Sequence, residues 1–112
     1  MTAYEVFAQA LAACPYPATQ IPVRGTGTIY VSFEEISGTV ARSASNAPRA
    51  LTHVMQVDIW SRAAISPELY PVLRALWAAG IAVDGWGPLI YEDDTGWFHM
   101  PITCRYNERI NE

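Results

Sequence analysis

The sequence predicts an α+β domain of two layers, in which a mostly antiparallel or mixed sheet of about four to five strands carries two helices on one face. Three observations lead to this prediction. The chain of 112 residues has the length of one domain. Leu51–Trp60 alternates like a half-covered strand, and two further segments show the apolar spacing of amphipathic helices. These segments follow one another as helix, strands, helix and hairpin, an order typical of helices that share one face of a sheet.

The first helix is predicted at Thr2–Ala13, where apolar residues recur at helical spacing. Thr2 can cap this helix, and Glu5, three residues later, completes the pattern of a capping box. Pro15 and Pro17 end the helix, because proline cannot continue it and restricts the residue before it. The chain is then expected to be extended and irregular up to the next strand.

Two strands and a loop are predicted before the central strand. Thr28–Glu35 alternates with period two, and Thr39–Arg42 can form a short strand. The segment 43–50 is small, polar and without periodicity, so we expect a mobile loop there. Arg42 and Arg49 flank this loop and could pair with acidic groups of a neighbouring molecule.

Leu51–Trp60 is predicted to be the central strand, because neither glycine nor proline interrupts it. One side of its pleat is nearly all apolar, and the other is mixed. We therefore expect both helices to pack on the apolar side, which consists of Leu51, His53, Met55, Val57 and Ile59.

The second helix is predicted at Ser66–Ala79. Ser66 is the expected N-cap, Pro67 takes the first helical position, and Gly80 is the expected stop. Trp86 is expected to be exposed on a glycine-flanked loop that follows.

A hairpin is predicted from Leu89–Tyr91 and Trp97–Tyr106, with an acidic turn between them. The polar segment 107–112 is expected to be a frayed tail.

Composition limits the classes of function. The formal net charge is −4, there is no lysine, and the seven arginines are scattered, so no basic stripe indicates base-specific nucleic-acid binding. No apolar run reaches the roughly 20 residues of a membrane span. Cys14 and Cys104 lack the spacing of a zinc site, which favours two buried free thiols in a reducing compartment and leaves a disulfide open.

The sequence predicts no catalytic, cofactor or metal site. His53 has no evident partner close to it in the sequence, which favours a structural role. His99 and Cys104 differ in parity and point to opposite faces of one strand, so they do not form a nucleophile pair. Asp58 is expected to form a surface ion pair with Arg62.

A surface for other proteins is predicted instead. Aromatic side chains and arginine are enriched at interface centres, and few charges accompany them here. The candidate interface residues are Trp60, Trp86, Trp97, Arg42, Arg49 and Arg105.

The order of elements resembles the tail terminator, or tail-completion, proteins of long-tailed bacteriophages. The resemblance covers nearly the whole chain and depends on the N-terminal helix leading to Tyr16-Pro17, on Thr28–Phe33, on Leu51–Arg62, on the helix Pro67–Ala79 and on the hairpin Pro88–Tyr106. The chain departs from the pattern in having no lysine and an alanine-rich, weakly charged segment at 43–50.

The resemblance implies a structural virion protein without an active site or cofactor. Such proteins assemble as a ring, usually a hexamer, at the head-proximal end of the tail, after passing through the host cytoplasm. The implied partners are further copies of the chain, the tail tube protein and a head-side connector protein, and DNA would pass through the ring. Two alternatives stay open: a head-side connector, and a small-molecule-binding or enzymatic α+β domain that uses the aromatic surface.

Overall fold

The computed structural model describes residues 1–44, 47–62 and 67–110, and within 41–44 and 47–48 it describes the backbone only. Within these ranges the chain forms two helices and six strands. In chain order they are α1 (Ala3–Leu11), β1 (Ala18–Gln20), β2 (Ile29–Ala44), β3 (Ala47–Ser61), α2 (Leu69–Ala78), β4 (Ala82–Trp86), β5 (Ile90–Tyr91) and β6 (Phe98–Arg109).

The strands form one mixed sheet in the order β1-β2-β3-β6-β4, and β5 pairs with β6 beyond the end of β4. β1 is parallel to β2, and the other pairs are antiparallel. The predicted α+β class, the central position of β3 and the β5–β6 hairpin are confirmed. β1 was not predicted. Its three residues are too few to show the alternation of a strand, and they join the sheet only by pairing with β2.

Both helices cover the predicted apolar side of β3. Val57 pairs with Phe33 of β2 and Ile102 of β6, and these three side chains lie in one buried row under the helices. Phe7 and Leu11 of α1 and Val72 and Leu76 of α2 close the core from above. Met55, Val57 and Ile59 are fully buried, as the alternation in the sequence predicts.

The ends of α1 follow the sequence closely. The Thr2 hydroxyl accepts from the Glu5 N–H at 3.2 Å, and the Glu5 carboxylate accepts from the Thr2 N–H at 3.1 Å. The predicted capping box is therefore present. Its two hydrogen bonds satisfy backbone groups that the helix itself leaves free.

The predicted start of α2 is wrong. Ser66 lies outside the described residues, Pro67 precedes the helix, and Glu68 occupies the N-cap position without a side-chain cap bond. Pro71 explains why the helix begins later in the sequence than predicted. A helix beginning at Pro67 would need an N–H at position 71, whereas a start at Leu69 leaves Pro71 among the first four residues, whose N–H groups need no helical partner.

The end of α2 lies where it was predicted. Gly80 has a φ of 78°, and the Ile81 N–H donates to the Leu76 carbonyl at 3.1 Å. A left-handed residue followed by this bond is a common way to end a helix, and glycine adopts that conformation at little cost.

The segment predicted as a loop at 43–50 is largely strand. β2 continues to Ala44 and β3 begins at Ala47, and residues 45–46 lie outside the described part. The segment lacks large apolar side chains in alternation, which is why the sequence pattern did not indicate strands there. Backbone pairing of β2 with β3, as between Ala44 and Ala47, stabilises it instead, and Ala50 also pairs with Arg109 of β6.

The predicted start of the frayed tail, at residue 107, is also wrong. β6 runs to Arg109, the Thr52 hydroxyl donates to Asn107 Oδ1 at 2.8 Å, and the Ile110 N–H donates to the Arg49 carbonyl at 3.0 Å. Only residues 111–112 of the predicted tail lie outside the described part.

The three long strands extend past the helices as an arm, which we define as residues 36–44, 47–54 and 105–109. Burial changes abruptly along β2, where Tyr30–Phe33 are buried and Ile36–Val40 are exposed. The molecule measures 52 × 26 × 23 Å, and its radius of gyration is 15.1 Å. A compact domain of this length would have a radius of gyration of about 13 Å.

Neither helix in the described part of the chain is long and apolar enough to cross a membrane.

Candidate functional site

Three side chains converge at the root of the arm, on the sheet face that the helices cover farther along. His53 of β3 lies between Glu35 of β2 and Glu108 of β6. Its Nδ1 is 2.6 Å from Glu35 Oε2, and its Nε2 is 2.8 Å from Glu108 Oε1. The pairing of Met55 with Glu35 and of Leu51 with Glu108 places the two carboxylates diagonally on either side of His53. We call this group the His53 cluster.

The environment of the His53 cluster favours a protonated imidazole. Burial alone lowers the pKa of His53, but the hydrogen bonds and charges of Glu35 and Glu108 outweigh burial, and the pKa lies above the ordinary value of 6.5. With His53 protonated, the cluster carries one net negative charge. Both ring nitrogens are occupied, so neither is free to accept a proton from a substrate.

The partners of His53 were not predicted, because none of them lies near it in the sequence. Glu35 lies 18 residues away in the sequence and Glu108 lies 55 residues away, and only the pairing of β3 with both neighbours brings them together. The alternation of side chains along each strand shows which residues of that strand share a face. It does not show which residues of different strands meet until the register between the strands is known.

A second histidine lies between carboxylates on the opposite, helix-free face. His99 Nδ1 is 3.4 Å from Asp58 Oδ1, and its Nε2 is 3.6 Å from Glu92 Oε2. The Gln56 side-chain amide donates to both Asp58 oxygens, at 3.0 and 3.3 Å. Burial is the main cause that raises the pKa of Asp58 above its ordinary value.

The predicted surface ion pair of Asp58 with Arg62 is wrong. Only 3% of Asp58 is exposed, and the Arg62 guanidinium lies over the ring of Trp97, 5.5 Å from its centroid. Asp58 pairs with His99 because position 58 lies inside the sheet, whereas Arg62 follows the end of β3.

Stacked rings cover much of the helix-free face. Trp60 stacks on His99 with centroids 4.8 Å apart, Tyr30 stacks on Trp60 at 6.0 Å, and Trp97 meets Tyr30 edge-on at 5.3 Å. The Trp60 indole N–H donates to the Ser32 hydroxyl at 2.8 Å. These contacts satisfy the aromatic side chains within the subunit.

The loop before β2 also packs on this face. A Cβ at Gly25 would clash with the Tyr30 ring, so the backbone at position 25 packs directly on this aromatic side chain. Trp97 is only 7% exposed and Trp60 is half-buried. Little of the predicted aromatic interface on this face is left for a partner, and Trp97 has the least surface to contribute.

The structure separates the other candidate interface residues. Trp86 is 55% exposed and lies in β4, not in a loop; it pairs with Ile102, so it shares the helix-covered face. Arg105 is exposed and binds both oxygens of Asp84, at 2.8 and 3.0 Å. Arg49 is exposed on the arm, and the side chain of Arg42 lies outside the described part.

An exposed ridge on α2 was not predicted as a site. Tyr70 is 61% exposed, Trp77 is 48% exposed, and their rings meet at 6.2 Å. The Arg74 guanidinium lies 5.6 Å from the centroid of Tyr70. The three residues recur at i, i+4 and i+7, the spacing of one helical face, which the sequence could have revealed. We call them the α2 ridge.

Both cysteines are free, buried thiols. Burial raises the pKa of Cys104 to about 12, and it also raises the pKa of Cys14, whose Sγ–H donates to the Tyr16 carbonyl at 3.4 Å. A thiol is nucleophilic only as a thiolate, so neither cysteine is activated for chemistry in this fold.

Comparisons with known proteins define the fold and do not name a function. No family model matches the chain. No curated protein matches it either. Eighteen chains of solved structures match. One of them, which carries no functional description, has a TM-score of 0.54 and 16% identity over 98% of this chain and 93% of its own. At this identity the similarity shows a shared fold.

Proposed function

We propose that the chain is a self-assembling structural subunit of a bacteriophage tail, a tail terminator that caps the tail tube and joins it to the head. The observation that carries the proposal is the arm. Its strands extend past both helices, and its apolar residues Ile36 and Val40 are 54% and 60% exposed. Exposed apolar residues grouped on one part of a sheet are typical of a surface that binds another protein.

The surface area of the molecule supports the same conclusion. The chain exposes 6638 Å². A folded monomer of this mass exposes about 6,100 Å², so roughly 500 Å² lies beyond what a compact shape requires. A stable interface buries about 800 Å² from each partner. The exposed residues of the arm, Ile36 and Val40 among them, contribute to this surface.

The proposed assembly is a closed ring, as the resemblance of the sequence to tail terminators implies. A hexamer is the expected size, the virion is the expected location, and the tail tube and a head-side connector are the expected partners. In a ring, each subunit uses one surface to contact the next subunit and a different surface to accept the previous one. An elongated subunit with an arm at one end suits such a head-to-tail contact.

The test combines the mass of the protein in solution with binding to purified tail tubes. We expect the wild-type chain to form rings, alone or on tubes, and to stop tube growth at normal length. Val40→Arg should prevent assembly because it places a charged side chain on the exposed apolar part of the arm. The matched control is Val23→Arg, since Val23 is 65% exposed but lies off the arm. A wild-type chain that associates neither with itself nor with tubes would contradict the proposal, and binding to head-side proteins alone would indicate a head-side connector.

A further inference from the structure

We propose that the arm of one copy docks on the α2 ridge of the next copy, so that the apolar cleft beside His53 receives the aromatic rings and the His53 cluster binds Arg74. This inference rests on the proposed ring assembly and names the two surfaces that would meet in it. It places the neighbour's contact on α2 and not on the aromatic face of the sheet.

The receiving surface is a shallow apolar cleft at the root of the arm. It has a volume of about 210 Å³ and is lined by Gly38, Thr39, Val40, Leu51, Thr52 and His53. Val40 pairs with Leu51, and Leu51 pairs with Glu108, so these three side chains share the face of the His53 cluster. An exposed apolar strip thus adjoins a group with net negative charge.

The inserting surface has the complementary character. Tyr70 and Trp77 expose large rings, and Arg74 lies between them along the helix. The contact of Arg74 with Tyr70 holds the guanidinium against the helix surface, which lowers the entropy cost of binding it. Within the part of the chain that the structure describes, no carboxylate forms an ion pair with Arg74.

The chemistry of the two surfaces matches. Each carboxylate of the His53 cluster uses one oxygen for His53 and can accept further hydrogen bonds. A guanidinium presents several donors in one plane and suits paired carboxylate oxygens better than a point charge does. Binding one arginine would neutralise the net charge of the cluster while the flanking apolar residues of both surfaces lose contact with water.

The occupant of the cleft is a second copy, because the complementary pair of surfaces is present in one chain but cannot meet within it. The cleft lies on the arm, whereas α2 packs with its buried face on the body of the domain and presents the ridge outward. Two different surfaces that bind each other between copies form a head-to-tail contact, which closes into a ring when the rotation allows it.

A charge exchange tests the contact. Arg74→Glu should weaken self-association by at least about tenfold, or about 1.4 kcal/mol, because it places like charges together. Glu108→Arg should do the same. An equimolar mixture of the two variants should assemble, since every contact in an alternating ring then joins either the native pair or the exchanged pair. The measurement is sedimentation velocity, with and without tail tubes, on variants shown by circular dichroism to be folded.

The control is Arg24→Glu, which makes the same charge change on an exposed arginine outside both surfaces. It should assemble like the wild-type chain. If Glu108→Arg fails to fold, Trp77→Ala combined with Arg74→Glu tests the ridge alone. Normal assembly of the Arg74→Glu variant would overturn this inference and leave the proposed function standing. A wild-type chain that stays monomeric with and without tubes would overturn both.

Discussion

Replacing His53 by leucine tests the physical account of the His53 cluster. The substitution removes both hydrogen bonds of the ring, at 2.6 and 2.8 Å, and leaves Glu35 and Glu108 facing each other. The side chains of the three residues are 14%, 28% and 23% exposed, so water screens them only in part.

The expected loss of stability follows from these contacts. Hydrogen bonds to charged groups contribute about 1.5 to 3 kcal/mol each to the free energy of unfolding, and two bonds to one ring add less than twice that amount. The repulsion between Glu35 and Glu108 is present in both proteins and therefore does not add to this loss; at an effective dielectric of about 20 to 40 it amounts to about 1 to 2 kcal/mol for two carboxylates separated by one imidazole ring. After the cost of burying the imidazole is subtracted, we expect a loss of about 3 kcal/mol at pH 6.

The loss should depend on pH with a definite sign. The pKa of His53 is raised in the folded state, so its protonation stabilises the fold fully below the unfolded value near 6.5 and stops doing so as the pH rises through the folded pKa. The difference between the wild-type chain and His53→Leu should therefore be largest at pH 6 and smaller at pH 9. Urea unfolding followed by tryptophan fluorescence measures it at each pH.

The control adds Glu108→Gln to the leucine variant. This change removes the repulsion between the carboxylates and should restore about 1 kcal/mol at every pH above 6. An equal loss of stability at pH 6 and pH 9 for His53→Leu would refute the account, because it would show that the protonated ring contributes nothing through the two carboxylates.

Three further predictions concern the core and the buried charges. Val57→Asp buries a charge in a fully buried position and should cost more than about 5 kcal/mol, enough to unfold a domain of this size, whereas Val54→Asp on the other face of β3 should cost much less. A Val57→Asp variant that stays folded, with a melting temperature above that of Val54→Asp, would mean that β3 faces the other way. Cys104, with a pKa of about 12, should react with a thiol reagent at pH 8 at least about a thousandfold more slowly than a free thiol, and rapid labelling of the native protein would contradict its burial. Asp58 has a raised pKa, so the wild-type chain should gain stability as the pH falls through that pKa. Asp58→Asn should lack this gain and should be at least as stable as the wild-type chain at pH 7. A loss of several kcal/mol for Asp58→Asn at pH 7 would show that the fold favours the charged carboxylate.

Local chemistry explains what could be predicted from the sequence. The capping box of Thr2 and Glu5 involves neighbours three residues apart, and the burial of Val57 follows from alternation within one strand. The effect of Pro71 on the start of α2 was equally local and was available from the sequence, because a missing N–H can be counted without knowing the fold. Features that depend on one segment are thus accessible from the sequence.

The remaining features depend on register between distant strands. The partners of His53 and the burial of Asp58 arise only when β2, β3 and β6 align over their full length. The same pairing converts the polar segment 43–50, which has no strand pattern, into the continuation of two strands. Trp86 was placed in a loop because glycines flank it, although pairing with β6 holds it in a strand.

The order of the strands has a consequence for folding during synthesis. β4 leaves the ribosome before β6, yet it joins the sheet only through β6, which lies between it and β3. Until residues 98–109 emerge, β4 has no neighbour to pair with, and β3 exposes a backbone edge along most of its length. At the usual rate of about 5 to 20 residues per second, this interval lasts a few seconds. During that time the nascent chain depends on β2 and the helices to prevent its open edge from pairing with other chains.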